Sequence, residues 1–163
     1  RHQIVMLGAI KTTGRPEVPE AGSVERGLGG KVFNDVSLSI SGRMACAICH
    51  DAAHAHAGAG NLAVPRGGPG LDVPAFRNVP SLRYLDHAPA FFFDKDGTPT
   101  GGFDGDGRAN ALAIQARRPF LAAHEVANAD EADLATKLRP TAYAKEFRSV
   151  FGPASPDTAD GGT

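Results

Sequence analysis

The amino-acid sequence predicts an all-α domain with long irregular loops. Stripes of apolar residues spaced three and four apart indicate helices near the start and near the end of the chain. No segment of the 163 residues shows the alternation of a half-buried strand, and no internal repeat is found. The 20 glycines and 12 prolines predict extended irregular segments between the helices.

Four longer helices are predicted from these stripes. The first covers residues 23–34, where three glycines each cost up to about 1 kcal/mol, so this helix must depend on packing. The second covers residues 109–118 and is expected to end at Pro119. The third covers residues 130–139. Pro140 is expected to open the fourth, whose apolar stripe is Tyr143, Phe147, Val150 and Phe151.

The organisation expected from these elements is a single domain with two flanking segments. Residues 1–20 are predicted to form an extended arm, residues 21–153 the domain, and residues 154–163 a disordered tail or the start of a linker. Within the domain, residues 57–80 are rich in glycine and proline, and a loop of this length is usually functional or wrapped around something. The triplet 91–93 of three phenylalanines is expected to pack in the core or against the edge of a cofactor.

Composition excludes two classes of partner. The net charge is −1, from 17 basic and 18 acidic residues, which does not favour nucleic acid or an anionic membrane surface. No apolar run approaches the roughly 20 residues that span a bilayer. We therefore expect neither nucleic-acid binding nor a membrane span.

The segment Cys46-Ala47-Ile48-Cys49-His50 has the Cys-x-x-Cys-His spacing that attaches a c-type haem. The cysteines form two thioether bonds, and the histidine supplies one axial ligand of the iron. These are the only two cysteines in the sequence, so no other thiol competes. We predict one covalent haem c on a short helix. Bacteria attach such haems outside the cytoplasmic membrane, so we expect a periplasmic or exported protein with a mature or trimmed N-terminus.

Other interpretations of these residues remain open. A thioredoxin-like redox pair would not need His50 and is expected beside a βαβ pattern, which is not found nearby. Half of a zinc site would need further ligands, for which His54 and His56 are candidates. An EF-hand loop within residues 94–107 is disfavoured, because the bidentate glutamate and the ligand spacing are absent. We favour haem.

The second axial position of the iron decides what a haem protein does. Met44 is too close to Cys46 to reach the other face, and no methionine follows it, which argues against a His/Met electron carrier. Peroxide chemistry at an open iron needs a distal base. Glu125, after the apolar Pro119-Phe120-Leu121, is the candidate, with Gln115 as a hydrogen-bonding neighbour. On local grounds alone, a solvated or capping glutamate is the commoner explanation.

Several further motifs occur in order between Gly27 and Gly152. They are residues 30–35, 38–39, the haem motif with Asp51, residues 77–82, 101–103 and 106–108, then Leu112, Gln115-Ala116, Pro119, Glu125, Tyr143, Phe147 and Phe151-Gly152. On these motifs the chain resembles the N-terminal haem domain of the bacterial di-haem cytochrome c peroxidase family, which includes MauG-type enzymes that mature a tryptophan-derived cofactor. The resemblance implies a cytochrome c-like helical haem domain.

The resemblance also implies roles for individual residues. It makes this haem the peroxidatic one, with His50 as its proximal ligand. Gln115 and Pro119 would line the distal pocket, and Glu125 would be the acid/base group. Asn78 would contribute to a calcium site between two haem domains.

The sequence departs from the family pattern in three ways. Gly105 replaces the tryptophan that the family places before Asp-Gly-Arg, so a route through that indole cannot operate. The loop 57–74 holds no His or Met, so we predict a five-coordinate or water-bound iron. The sequence has no second Cys-x-x-Cys-His, which leaves open a fragment, a second haem on another polypeptide, or a single-haem descendant.

We expect from this resemblance an oxidoreductase that reduces hydrogen peroxide, or uses it to oxidise a partner. Electrons would come from a second haem domain or from a donor such as a small cytochrome or cupredoxin. The alternative is a non-catalytic cytochrome module that only relays electrons.

Overall fold

The structure is a computed structural model that describes residues 23–153 and residue 155. The predicted arm 1–20 lies outside the described residues, as does nearly all of the predicted tail 154–163. The described part of the chain contains five α-helices and is mostly helical, as predicted. The helices are α1 (Val24–Asn34), α2 (Cys46–Cys49), α3 (Leu112–Leu121), α4 (Glu131–Leu138) and α5 (Ala144–Phe151).

The structure confirms the helix predicted from the first apolar stripe, despite its three glycines. Ser23 caps its start, because the side-chain oxygen accepts a hydrogen bond from the backbone N–H of Arg26 at 3.2 Å. Leu28 and Val32 are buried, and the helix packs against α2 and α5. Packing therefore compensates for the low helix propensity of the three glycines.

The core forms where α1, α4 and α5 meet the segments that follow α1 and α3. Its least accessible large side chains are Phe147, Leu28, Leu38 and Leu138. Tyr143 donates a hydrogen bond to Asp35 Oδ2 at 2.6 Å, which ties the start of α5 to the end of α1. Cys46 and Cys49 are half-buried and pack against this core, so the haem motif is held by the main apolar cluster.

Three of the predicted helix boundaries are wrong. Helix α3 begins at Leu112 and not at Ala109, whose backbone pairs with that of Phe103 in an isolated β-bridge. Helix α3 continues through Pro119 to Leu121, because a proline in the last turn removes a single backbone hydrogen bond and the Ala122 N–H still bonds Arg118 O at 3.0 Å. Helix α5 begins at Ala144. Pro140 instead lies two residues after Leu138, the last residue of α4, at a position where proline prevents a helix from continuing.

The sequence shows no strand pattern, and the strands of the structure are small. Two short antiparallel pairs occur in the described residues: β1 (Arg66–Gly67) with β2 (Val73–Pro74), and β3 (Phe92–Phe93) with β4 (Pro99–Thr100). Two-residue strands are too short to show an alternating pattern in sequence.

Phe92 and Phe93 are 45% and 65% exposed, so the prediction of core packing is wrong for these two residues.

Asn128 is a buried polar residue that fixes the segment after α3. Its side-chain amide donates hydrogen bonds to the carbonyls of Leu38 and Phe120, both at 3.0 Å, and its oxygen accepts one from Lys137. The backbone of the same segment is fixed by a bond from Ile40 N to Val126 O at 3.1 Å. The amide therefore joins three parts of the fold.

We expect Asn128→Ala to lower the free energy of unfolding by about 2–3 kcal/mol, because buried carbonyls lose their donor. Chemical denaturation of the haem-loaded protein measures this loss. The matched control is Asn34→Ala, which removes an exposed amide with one bond to Gly30 O and should cost less than about 1 kcal/mol. Equal losses in the two variants would contradict the assigned role of Asn128.

Candidate functional site

The two cysteines lie on the single turn of α2, and the histidine immediately follows it. Cys46 and Cys49 are free thiols, three residues apart on one helical turn. His50 leaves the helix with φ −100° and ψ 76°, and its backbone N–H bonds Cys46 O at 2.8 Å. The predicted short helix is confirmed.

The imidazole of His50 is oriented by a backbone carbonyl. Its Nδ1 donates a hydrogen bond to the carbonyl oxygen of His56 at 2.9 Å, which leaves Nε2 as the nitrogen for a metal. Burial lowers the pKa of His50, partly opposed by the carbonyls of His56 and Pro80. The neutral imidazole is the form that binds a metal, so this environment suits an axial ligand.

A tight turn after the motif presents the His56 carbonyl. Ala55 and His56 both have positive φ, 57° and 56°, which costs about 1–2 kcal/mol for each residue with a side chain. The turn is closed by bonds from His56 N to Asp51 O at 2.7 Å and from Asp51 N to Ala57 O at 3.1 Å. Phe33 of α1 covers the turn, with its ring centre 6.5 Å from that of His50. The strained backbone is thus retained where it orients the histidine.

The thiols are poorly suited to the two alternative functions of the cysteine pair. Burial raises the pKa of Cys46 to about 11 and also raises that of Cys49. Redox pairs and zinc sites use thiolates, so a higher thiol pKa disfavours both. Within residues 23–153 and 155, no group of three or more His, Cys, Asp or Glu side chains could hold a metal ion.

Glu125 lies near the haem motif in space although it is 75 residues beyond His50. Its charge acts on both Cys46 and Cys49 and raises their pKa values. Burial raises the pKa of Glu125 itself; Asp104 adds to this effect, while His124 and Arg118 oppose it. The side chain keeps 41% of its accessible surface, so the carboxyl is partly enclosed and still reachable. This combination suits an acid/base group.

The β1–β2 hairpin holds the backbone of Glu125. The Gly68 N–H bonds Glu125 O at 2.9 Å. Gly67 packs so closely that an added Cβ would lie 2.4 Å from His124 O and 2.9 Å from the Cα of Glu125. Gly68 has φ +79°, and a Cβ there would lie 2.7 Å from Ala123 O. The glycine-rich loop is therefore a support for the segment that carries Glu125.

Helix α3 carries the two other residues predicted for the pocket. Gln115 and Pro119 are four residues apart, so they share a face of this helix, and both are half-buried. The Pro119 carbonyl accepts a hydrogen bond from Val126 N at 3.2 Å, which anchors the residue after Glu125. The structure thus places Pro119 beside the Glu125 segment, while the role of the Gln115 side chain remains a prediction.

An ion-pair network borders this segment. Asp104 has φ 63°, and its carboxylate pairs with Arg118 of α3 and, at 3.3 Å, with Arg108. Asp106 pairs with Arg108 at 3.0 Å and with Arg77 at 3.1 Å. Gly105 lies in this turn, where an added Cβ would meet Arg77 Nη1 at 3.9 Å.

The remaining candidate ligands have other environments. Asn78 is exposed, and its Oδ1 accepts a hydrogen bond from Val79 N at 2.8 Å, so the calcium role stays a prediction. Met44 is buried in the core. His54 is exposed and pairs with Asp51 at 2.9 Å. The sequence analysis did not identify Asn128 or Gly67, and it did not place His124 beside Glu125. Of these three residues, only Gly67 had a local signal, because a second glycine follows it.

The residues present fit a c-type haem. Two neutral thiols and an oriented neutral imidazole are the attachment and ligation groups that it needs. Among the described residues, Nδ1 of His56 is a buried side-chain nitrogen without a hydrogen-bond partner. His56 contacts His50 through its backbone carbonyl, and its unpaired nitrogen fits a ligand with polar edge groups, such as the propionates of haem. This fold and this site define a c-type haem domain.

Comparison with known proteins identifies the family. Residues 24–161 match the family model for di-haem cytochrome c peroxidase. The chain is 38% identical over 149 residues to the methylamine utilization protein MauG of Paracoccus denitrificans, and 32% identical over 129 residues to MauG of Methylorubrum extorquens. These matches cover 83% and 79% of this chain. The chain belongs to the di-haem cytochrome c peroxidase family, a family of peroxidase-like oxidoreductases that bind haem c.

Solved structures agree with this assignment. The di-haem peroxidase BthA of Burkholderia thailandensis superposes with a TM-score of 0.76 at 32% identity and covers 94% of this chain. A single-substitution variant of BthA superposes with a TM-score of 0.72 at 33% identity and covers 90%. The chain spans less than half of each of these proteins: 38% and 32% of the two MauG proteins, and 41% and 40% of the two BthA chains. Within its described residues, no helix is long and apolar enough to cross a membrane.

Proposed function

We propose that this chain is the peroxide-reacting haem domain of a di-haem oxidoreductase. It would reduce hydrogen peroxide, or use it to oxidise a partner, at one haem c attached through Cys46 and Cys49. The observation that carries the proposal is the position of Glu125: a partly enclosed carboxyl with a raised pKa, close enough to the haem-attaching cysteines for its charge to act on both.

Each residue of the site has a distinct proposed role. His50 holds the iron through Nε2, with its ring fixed by the His56 carbonyl. A haem bound here supplies the two-electron redox chemistry that cleaves an O–O bond. Glu125 takes a proton from one peroxide oxygen and returns it to the leaving oxygen. Gln115 would orient the peroxide by a hydrogen bond, and Pro119 would border the pocket.

The partners and location follow from the same proposal. Reduction of peroxide consumes two electrons, and the family's second haem domain is the source we propose, fed by a small cytochrome or cupredoxin. Because bacteria attach c-type haems outside the cytoplasmic membrane, we propose a periplasmic location. A calcium ion at Asn78 would belong to the boundary between the two haem domains.

The optical spectrum of the haem-loaded protein tests this proposal. We expect a high-spin oxidised spectrum, five-coordinate or water-bound, which changes within seconds of adding hydrogen peroxide. The physical reason is that the loop 57–74 offers no His or Met as a sixth ligand. A low-spin oxidised spectrum with two strong axial ligands, unchanged by peroxide, would overturn the proposal and favour an electron-relay module.

A further inference from the structure

We propose that His124 relays protons between solvent and Glu125. The inference rests on the proposed function, because it concerns how the same acid/base group is supplied. It assigns a function to the histidine that directly precedes the proposed acid/base group.

The first observation is the position of the imidazole. His124 Nε2 lies 3.5 Å from Glu125 Oε1. Its side chain keeps 20% of its accessible surface, against 41% for the Glu125 side chain. The imidazole thus touches the carboxyl and still has a solvent-accessible part, as a relay between the two requires.

The second observation is the aromatic ring that holds the imidazole. The ring centre of Phe76 lies 4.5 Å from that of His124, with the planes tilted by 55°. Phe76 is itself 84% exposed. A phenylalanine has no proton to exchange, so its role is to restrict the imidazole beside Glu125. Phe76 therefore limits the orientations that the imidazole can take beside Glu125.

The third observation is that the hairpin packs on the backbone of His124. Gly67 and Gly68 of the hairpin pack against the carbonyls of His124 and Ala123, without room for a Cβ at either position. The Glu125 carbonyl is bonded to Gly68. With the backbone held in this way, a small rotation of the side chains would bring the 3.5 Å contact between His124 and Glu125 to hydrogen-bonding distance.

The stoichiometry of the reaction calls for such a residue. Hydrogen peroxide, two electrons and two protons give two waters. Glu125 only moves a proton from one peroxide oxygen to the other, so both additional protons must come from solvent in every turnover. Histidine is the side chain that normally exchanges protons near neutral pH. A histidine in contact with Glu125 can deliver them.

The charged groups around His124 lie on its own segment, in the ion-pair network and on the hairpin. Glu125 is adjacent, and Asp104 and Arg118 act on that same carboxyl. The hairpin that packs on this segment carries two more charged residues, Arg66 and Asp72, where Arg66 Nη1 donates to the Asp72 carbonyl at 3.1 Å. Cys46 and Cys49 add no charge, because burial raises the pKa of the free thiols and a thioether does not titrate.

The test compares His124→Gln with Glu125→Gln in the haem-loaded protein. For His124→Gln we expect peroxide reduction with an added one-electron donor to slow by about tenfold, with a larger solvent deuterium isotope effect. Hydrogen cyanide must lose its proton when it binds the iron, so its association rate reports proton transfer without turnover. We expect that rate to fall, and its dependence on pH near neutrality to flatten. His87→Gln, which removes a 61% accessible imidazole elsewhere, should change neither rate.

Chemical rescue separates proton transfer from packing. In His124→Gly, added 2,6-lutidine, a base about as strong as imidazole whose methyl groups keep it from binding the haem iron, should restore at least half of the lost cyanide association rate. 2,6-Difluoropyridine has a similar shape but is a far weaker base, and it should restore little. Equal rescue by both compounds would reduce His124 to a packing residue and overturn the relay. Wild-type behaviour of His124→Gln, with Glu125→Gln impaired, would also overturn it; wild-type behaviour of Glu125→Gln would instead overturn the proposed function.

Discussion

Replacing Glu125 with glutamine is expected to slow the reaction of the haem-loaded protein with hydrogen peroxide by about 10²–10⁴-fold. Glutamine keeps the size and hydrogen-bonding capacity of the side chain but cannot accept the peroxide proton. The rate constant for disappearance of the resting optical spectrum, measured by stopped flow across peroxide concentrations, gives this factor. The redox potential of the haem should barely change, because the substitution lies in the pocket and leaves the ligand His50 in place.

The pH dependence of the same rate gives a second expectation. Glu125 must be ionised to accept a proton, and burial raises its pKa above the ordinary value for glutamate. The wild-type rate should therefore be highest above that raised pKa and fall as the pH decreases through it. Glu125→Gln removes the group that titrates, so its residual rate should lose this acidic limb.

A matched control excludes a general effect of removing a carboxylate. Glu25 is exposed in the first turn of α1, and Glu25→Gln should react with peroxide at the wild-type rate. A change of less than threefold in Glu125→Gln would contradict the acid/base assignment. In that case the electron-relay alternative would gain support.

Replacing both cysteines of the motif is expected to abolish covalent attachment of haem. In Cys46→Ser/Cys49→Ser, serine hydroxyls cannot form thioether bonds, so haem would be held by His50 and apolar contact alone. Haem staining of a denaturing gel and the mass of the intact protein measure attachment. Acidified organic solvent should extract all haem from the variant and none from the wild type.

The single variants and a neighbouring control complete this experiment. Cys46→Ser and Cys49→Ser should each retain at most one thioether bond, and the optical spectrum of the reduced haem should shift in both variants. Ala47→Ser adds a hydroxyl on the same helical turn without removing a thiol, and it should leave attachment intact. Haem that remains covalently bound in the double variant would contradict the assignment of the motif.

Much of the fold could be predicted because its signals are local. The apolar stripe of α1 and the limits of α4 depend on residues three and four apart and on the capping residues Ser23 and Asp130. The predicted helix boundaries were wrong where a local sequence signal competes with other contacts. Pro119 has the signature of a helix end, yet a proline in the last turn costs a single hydrogen bond, and tertiary contacts through its carbonyl outweigh that cost.

The exposure of Phe92 and Phe93 illustrates another limit. Their hydrophobicity predicts burial, but burial depends on which surfaces meet, and a two-residue strand in a long loop meets little of the core. The role of residues 57–80 was predicted only as a loop around something functional. The structure assigns part of it to the hairpin that supports Glu125.

The sequence by itself determined the candidate site for haem attachment, because Cys46, Cys49 and His50 lie within five consecutive residues and their geometry is that of one helical turn. The tertiary structure alone decided how the segment of Glu125, which the sequence motifs had named, is held in the fold. Glu125, His124, Gly67 and Asn128 are distant in sequence from the motif, and contacts of this kind arise only when the helices and loops pack. Long-range packing carries no local periodicity, and so no pattern within a short window of sequence predicts it.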